Sequence, residues 1–218
     1  MNGIFSPDST LMKVLGAVSD VVIISFLWLL CSLPVVTLGA SSTAAYYALV
    51  KVVRRQRGYL THEFFRSFRS NLKDAVLLTV IYEVVAFLLV YNIVDMYNAL
   101  GETNSDMSFY LMVAYVALLV LLIGIAIYTW PVLSRFTVKG MPLFRFSLYA
   151  VFRHLPVTLV LLVLHVLTAL GLYLFPAALL FLPAVCLWIQ SLLMEPVLRK
   201  HMTPEMLAQW DGEDHLDE

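Results

Sequence analysis

Long uninterrupted stretches of apolar residues dominate the chain and decide its class. No Asp, Glu, Lys or Arg occurs from Val21 to Val50, from Met107 to Ser134 or from Leu155 to Met194, and residues 75–94 contain one charged residue, Glu83. A helix that crosses a membrane needs about 20 mostly apolar residues. The pattern therefore predicts an all-α, polytopic helical membrane protein rather than a soluble domain.

Five transmembrane helices are predicted, and their boundaries follow the edges of the apolar stretches. The last stretch would extend about 60 Å as one helix, about twice the thickness of the hydrocarbon core, so it must fold back. Phe175-Pro176 is the expected break. The expected spans cover residues 14–38, 75–97, 107–133, 155–174 and 177–197. Together they form one membrane domain over residues 1–202, followed over residues 203–218 by a short cytoplasmic helix and an acidic tail.

Two segments between the spans alternate apolar and basic residues with helical spacing. Thr61–Lys73 and Pro142–His154 each place aromatic and aliphatic side chains on one face and their basic residues mostly on others. This pattern predicts amphipathic helices that lie in the cytoplasmic interface of the membrane.

The distribution of charge predicts the orientation of the chain. Hydrophobic residues make up 61% and charged residues 13% of the sequence, against about 45–50% and about 25% in soluble domains. Thirteen of the 14 basic residues lie in residues 51–73, 135–153 and 199–200. Because cytoplasmic loops are enriched in Lys and Arg, we expect a multi-pass cell-membrane protein with its N-terminus outside and its C-terminus in the cytoplasm. The expected surroundings are membrane lipid, and no nucleic-acid partner is indicated.

The motifs of common enzyme classes are missing from the sequence. It has no GxxxxGK[ST], HExxH or GxSxG segment, so we expect no enzymatic activity, no catalytic residue and no cofactor. Cys31 and Cys186 fall inside predicted spans and lack the spacing of metal ligands. We expect both to be apolar thiols, without a metal site.

Glu83 and His165 are the ionisable residues that stand out inside the predicted spans. Such groups are costly in a membrane and usually face a partner, a cavity or a transport pathway. Counted from the cytoplasmic ends of their spans, their depths agree within about 3 Å. One hypothesis is a shared polar site for binding or transport. The alternative is that each side chain makes a local hydrogen bond that holds helices together.

The segment after the first span contains a proline followed by small residues. Pro34 and Gly39 are expected to end or bend the first span, and Ser41, Ser42 or Thr43 to cap a helix from Ala44 to Val53. Small side chains let another helix approach closely, either in this chain or in a partner subunit. The candidates for partner contact are Pro34, Gly39, Ala40, Ser41, Ala44 and Ala45.

The same segment carries a resemblance to a known family. WLLCSLPVVTLGAS at residues 28–41, AAYY at residues 44–47, FFRSF at residues 64–68 and Asn71-Leu72 resemble the YesL-like family of bacterial membrane proteins, the DUF624 type. The resemblance implies a Gram-positive source and a role in sugar uptake, since genes of this family tend to lie beside carbohydrate ABC importers. It supplies no catalytic residue.

Two functions are consistent with these observations. The first, implied by the resemblance, is a non-enzymatic accessory or regulatory subunit that associates with the permease subunits of a carbohydrate ABC importer, which a separate ATPase energises. The alternative is an independent small-solute transporter or channel with a polar site around Glu83 and His165.

Overall fold

Helices make up the molecule. The computed structural model describes residues 10–54, 59–103, 106–136, 140–205 and 207, and these residues form no β-strand. The α-helices are α1 (Thr10–Ser32), α2 (Leu38–Ala48), α3 (Leu60–Thr103), α4 (Asp106–Arg135), α5 (Met141–Arg153), α6 (Leu155–Leu174) and α7 (Leu182–Arg199). A π-helical turn, Leu49–Arg54, extends α2, and short 3-10 segments, Val35–Thr37 and Pro176–Leu180, precede α2 and α7.

Five helical segments within these residues are long and apolar enough to cross a membrane. They are Val35–Val53, Leu60–Gly101, Asp106–Arg135, Leu155–Leu174 and Leu182–Arg199, with a shorter apolar helix at Val18–Ser32. The prediction of an all-α polytopic protein is thereby confirmed. The first two segments differ from the expected spans in their bounds.

Helix α1 ends at Ser32, although the first span was expected to continue to residue 38. Proline disfavours the helical conformation of the residue before it, so the chain leaves the helix ahead of Pro34. The hydroxyl of Thr37 then donates to the carbonyls of Cys31 and Pro34 at 2.6 and 2.7 Å. The bond to Cys31 satisfies a carbonyl that the end of the helix leaves open.

Helix α2 begins at Leu38, six residues before the expected start. Ser41 and Thr43 do not cap it, because their hydroxyls donate to the carbonyls of Thr37 and Gly39 one turn earlier, at 3.1 and 2.8 Å. Hydroxyls can make such bonds inside a helix. From Gly39 to Val50 every residue of this segment is buried except Tyr47, which is half-buried. The helix with the highest proportion of small residues is therefore the centre of the fold.

Helix α3 combines two predicted elements in one. The amphipathic segment Thr61–Lys73 and the span that follows it form one helix, and α2 packs along its first half in the opposite direction. Lys51 pairs with the buried Glu63 at 3.2 Å at one end, while Gly39 lies against Thr79 at the other. The first half of α3 therefore covers α2, a contact that the amphipathic pattern did not predict.

The C-terminal helices follow the expected order. Helix α6 ends at Leu174, and the chain reverses through Phe175-Pro176 before α7. The predicted amphipathic segment Pro142–His154 is α5, a separate helix that packs on α4. Beyond α7, Pro204, Glu205 and Leu207 are helical, and Leu207 N–H bonds to the Thr203 carbonyl at 3.0 Å. The expected acidic tail lies outside the described residues.

Candidate functional site

The small residues after Pro34 contact helices of the same chain. Gly39, Ala40, Ser41, Ala44 and Ala45 are all buried, and a Cβ at Gly39 would lie 2.5 Å from the ring of Trp130. A residue without a side chain is needed at Gly39 because the Trp130 ring of α4 and Thr79 of α3 lie directly on the backbone of α2. The sequence left open whether the neighbouring helix belongs to this chain or to a partner subunit. In the structure, the helices that pack on these residues belong to this chain. Pro34 itself is exposed, among the exposed apolar residues Leu33, Val35 and Val36.

Glu83 and His165 are not brought together. They form no ion pair in the described part of the chain, and the two helices that carry them have different neighbours. Helix α3 packs mainly on α2 and α4, whereas α6 packs mainly on α7. The sequence predicts a similar depth for the two residues. Whether their side chains face each other depends on how the two helices pack. Glu83 stays half-buried on α3, and His165 lines a cavity to which Glu83 does not contribute.

The cavity lies between α4, α6 and α7 and has a volume of about 320 Å³. Helices α1 and α2 contribute Trp28, Ser42 and Tyr46 to its wall. The indole N–H of Trp28 donates to Ser42 Oγ at 3.0 Å, which ties α1 to α2 beside the cavity. Most of the lining is apolar, and no Asp, Glu, Lys or Arg belongs to it. A mostly apolar lining with a few polar groups is typical of sites that bind small molecules.

The side chain of Gln190 in the cavity wall bonds to a carbonyl that a proline leaves open on the neighbouring helix, α4. Pro131 lies inside α4 and has no N–H, so the carbonyl of Ile127, four residues earlier, loses its helical partner. The side-chain amide Nε2 of Gln190 donates to this carbonyl at 2.9 Å. Neighbouring helices commonly satisfy carbonyls that prolines leave open in membrane helices. The amide of α7 thus replaces a hydrogen bond missing from α4.

Two hydrogen-bond acceptors remain on the cavity wall. Gln190 is 2% exposed, and its Oε1 has no hydrogen-bond partner among the described residues. His165 Nδ1 bonds to the Leu161 carbonyl at 2.8 Å. Because a carbonyl oxygen only accepts, Nδ1 carries the hydrogen, and Nε2 of the neutral ring is an acceptor. His165 thus makes the local hydrogen bond considered above and still presents one nitrogen for a ligand.

A buried charge cluster adjoins the cavity through Tyr46. The Tyr46 hydroxyl donates to Glu195 Oε1 at 3.2 Å, and the same oxygen accepts from Arg135. The guanidinium of Arg135 also lies 5.8 Å from the centre of the Tyr46 ring, within the range of a cation–π interaction. This cluster joins the ends of α4 and α7 to the central helix.

Two histidines meet where α5 passes into α6. The rings of His154 and His201 lie edge to face with centroids 6.0 Å apart, and the His201 ring also contacts Phe146. Burial lowers the pKa of His154 below its ordinary value, and the positive charges of His201, Lys200 and Arg153 lower it further. The neutral form of His154 is therefore favoured in the fold.

The cysteines are free thiols in the fold. Cys31 is half-buried, and Cys186 is buried and lines the cavity. Within the residues that the structure covers, no group of three or more His, Cys, Asp or Glu side chains converges on a point where a metal ion could bind.

Gln190 was not a candidate from the sequence, although a signal for it exists. Pro131 inside a predicted span implies an unsatisfied carbonyl at Ile127, and a donor from another span is then required. Gln190 is an amide side chain within the long uncharged stretch Leu155–Met194. A search for side chains that could donate to this carbonyl would have included Gln190 among its candidates.

Comparison with known proteins identifies part of the chain. A family model described as "Protein of unknown function, DUF624" matches residues 21–93. Neither the curated proteins nor the solved structures gave a match. The matched segment contains about half of α1, all of the central helix α2 and the larger part of α3. The predicted resemblance to the DUF624 type is thereby confirmed over residues 21–93, the part of the chain that the family model matches.

Proposed function

We propose that this protein is a non-enzymatic accessory or regulatory membrane subunit that associates with the permease subunits of a bacterial carbohydrate ABC importer. It would lie in the cell membrane of a Gram-positive bacterium, with its N-terminus outside and its C-terminus in the cytoplasm. The resemblance to the YesL-like family suggests the sugar importer. The concentration of basic residues in residues 51–73, 135–153 and 199–200 supports the orientation.

The observation that carries the proposal is a long apolar hairpin, formed by α3 and α4, whose most apolar parts are mostly exposed. In the most apolar windows of α3 and α4, only 17% of the residues are buried, against 11% in that of the shorter α6 and 67% in the segment that contains α2. Phe87 and Tyr91 of α3 are 69% and 64% exposed, and Met107 and Tyr110 of α4 are each 67% exposed. A helix pair that extends beyond its own core offers a surface for lipid and for the helices of another subunit.

Affinity purification from the native membrane tests this association. A tagged chain in lipid-preserving conditions should retain the permease subunits and the ATPase of one importer. Phe87→Ala with Tyr91→Ala should reduce this recovery at least about fivefold, because large exposed aromatic residues dominate interfaces. Val163→Ala with Leu167→Ala on α6, where the residues are 58% and 59% exposed, is the matched control. Recovery of the chain without any importer subunit would count against the proposal.

The cavity favours a second candidate, an independent transporter of small solutes. Because Glu83 lies outside the cavity, the polar site of this alternative consists of His165 with Gln190. Proteoliposomes that contain the purified chain can be tested for uptake of glycerol and erythritol by light scattering. Uptake above that of empty liposomes, lost in His165→Phe and kept in Glu83→Gln, would support transport. Uptake equal to that of empty liposomes would reject it.

A further inference from the structure

A buried acceptor in the cavity wall requires a donor. Gln190 donates a hydrogen bond from Nε2 to the Ile127 carbonyl. This bond orients the amide and leaves Oε1 as its available acceptor. That oxygen is buried and has no hydrogen-bond partner in the described part of the chain. Buried polar atoms are nearly always paired in native structures. An occupant of the cavity that donates a hydrogen bond would complete the pairing.

His165 adds a second acceptor to the same cavity. Its Nδ1 is held by the Leu161 carbonyl, and Nε2 has no hydrogen-bond partner among the residues that the structure covers. The helix that carries His165 also carries Thr168, whose hydroxyl donates to the Leu164 carbonyl at 2.8 Å. The hydroxyl hydrogen of Thr168 is therefore already used. The polar atoms still available on the wall include two acceptors, His165 Nε2 and Gln190 Oε1, together with the hydroxyl hydrogen of Ser42, whose Oγ accepts from Trp28.

The rest of the wall sets the size and character of the occupant. The cavity, at about 320 Å³, lies at the small end of the range of small-molecule sites, which is about 300–1,000 Å³. Trp28, Tyr46 and Trp130 provide aromatic surface, and no charged side chain lines the space. A lipid acyl chain fits the apolar wall but has no donor for Gln190 or His165. A charged molecule would find no counter-charge.

We infer that this cavity binds a small neutral molecule with an apolar body of about ring size and a hydroxyl or N–H group that donates to Gln190 Oε1 or His165 Nε2. The inference goes beyond the importer association and does not depend on it. It shares its cavity with the second candidate function, and for this reason binding is measured rather than flux.

Two ligands that differ in one hydrogen test the inference on the unaltered protein. The full chain in lipid nanodiscs is titrated with 4-propylphenol and with 4-propylanisole by calorimetry, and titrations of empty nanodiscs are subtracted. The phenol donates a hydrogen bond, and the methyl ether of similar shape does not. We expect saturable binding of the phenol at one site per chain and about tenfold weaker binding of the ether, the difference that one buried hydrogen bond makes.

A pair of variants tests the location. Ala169 lines the cavity, so Ala169→Phe should fill it and reduce phenol affinity at least about tenfold. Val166→Phe places the same ring on a position of α6 that is 65% exposed and outside the cavity, and it should bind like the unaltered chain. Circular dichroism and gel filtration show whether each variant keeps its fold.

The outcomes divide clearly. Stronger binding of the phenol, lost in Ala169→Phe and kept in Val166→Phe, supports the inference. Equal binding of phenol and ether overturns it, since the cavity would then hold apolar chains without using its acceptors. Absence of saturable phenol binding, or unchanged binding in a folded Ala169→Phe variant, also overturns it. If Ala169→Phe does not fold, the comparison of the two ligands on the unaltered chain still decides. None of these results affects the co-purification test of the importer association.

Discussion

Arg135 donates two hydrogen bonds, from Nε and Nη2, to the same oxygen of Glu195, at 3.1 and 2.8 Å. The side chain of Arg135 is fully buried and that of Glu195 is 7% exposed. Because the Tyr46 hydroxyl reaches the same oxygen, the pair fixes α4, α7 and α2 relative to one another. The positive charge that helps to predict orientation therefore also has a structural role inside the fold.

Removal of one partner of this pair should be far more harmful than removal of both. Glu195→Ala leaves a buried guanidinium without its carboxylate, and we expect a loss of about 3–5 kcal/mol in the free energy of unfolding. Arg135→Met combined with Glu195→Leu replaces the charges with apolar groups and should lose much less. Denaturant titration in detergent micelles measures both. A loss below about 1 kcal/mol in Glu195→Ala would contradict this role.

Gln190 and Pro131 should be coupled energetically. Gln190→Leu leaves the Ile127 carbonyl without a donor, which costs about 1–3 kcal/mol. Pro131→Ala restores a backbone N–H to α4 that can bond to that carbonyl. We therefore expect Gln190→Leu to be less destabilising in the Pro131→Ala background than in the unaltered chain. A double-mutant cycle measures the difference, and additive effects would show that the amide does not replace the missing bond.

A methyl group at Gly39 should disrupt the centre of the fold. The Cβ of Gly39→Ala would overlap Thr79 Oγ1 and the Trp130 ring, and overpacking of a core costs about 1–3 kcal/mol. Gly101→Ala is the matched control, since its Cβ would meet nothing within 4 Å, and it should be neutral or slightly stabilising. The midpoint of thermal unfolding, compared between the two variants, checks this. Equal midpoints would mean that α2 can move away from α3 and α4.

His154 should make the stability depend on pH in mildly acidic solution. Its pKa is lowered in the fold below the ordinary value of 6.5, so the unfolded chain binds a proton at a pH where the folded chain does not. By linkage, stability is complete above about pH 6.5 and falls as the pH decreases through the lowered pKa. His154→Gln should reduce this loss. Unfolding of the unaltered chain and of His154→Gln, followed between pH 7.5 and 5, measures this, and equal losses in the two would contradict the prediction.

The helices that could be predicted from the sequence are those that one continuous stretch of apolar residues defines. Helices α4 and α6 coincide with uninterrupted apolar stretches, and Phe175-Pro176 breaks a stretch too long for one helix. Hydropathy could not distinguish a first span reaching residue 38 from two helices that meet at Pro34. Both arrangements are equally apolar, and the burial of α2 depends on α3, α4 and α7.

The contents of the cavity were predictable only in part. His165 stands out because it is ionisable in an apolar span, and it does line the cavity. Glu83, its expected neighbour, does not line the cavity. Whether the two side chains face each other depends on how α3 and α6 pack, and this packing involves the whole chain. Gln190 could not be recognised as an isolated residue. Its role depends on a carbonyl 63 positions earlier in the chain.

The contacts of α7 with α1 and α2 can form only after α7 has been synthesised. Ser25 Oγ accepts a bond from the Ala184 backbone N–H in the first turn of α7, and Tyr46 bonds to Glu195, across 159 and 149 positions of the chain. At about 5–20 residues per second, the ribosome needs roughly 7–30 s to cover such a distance. The N-terminal helices must therefore remain without these contacts until α7 has been synthesised.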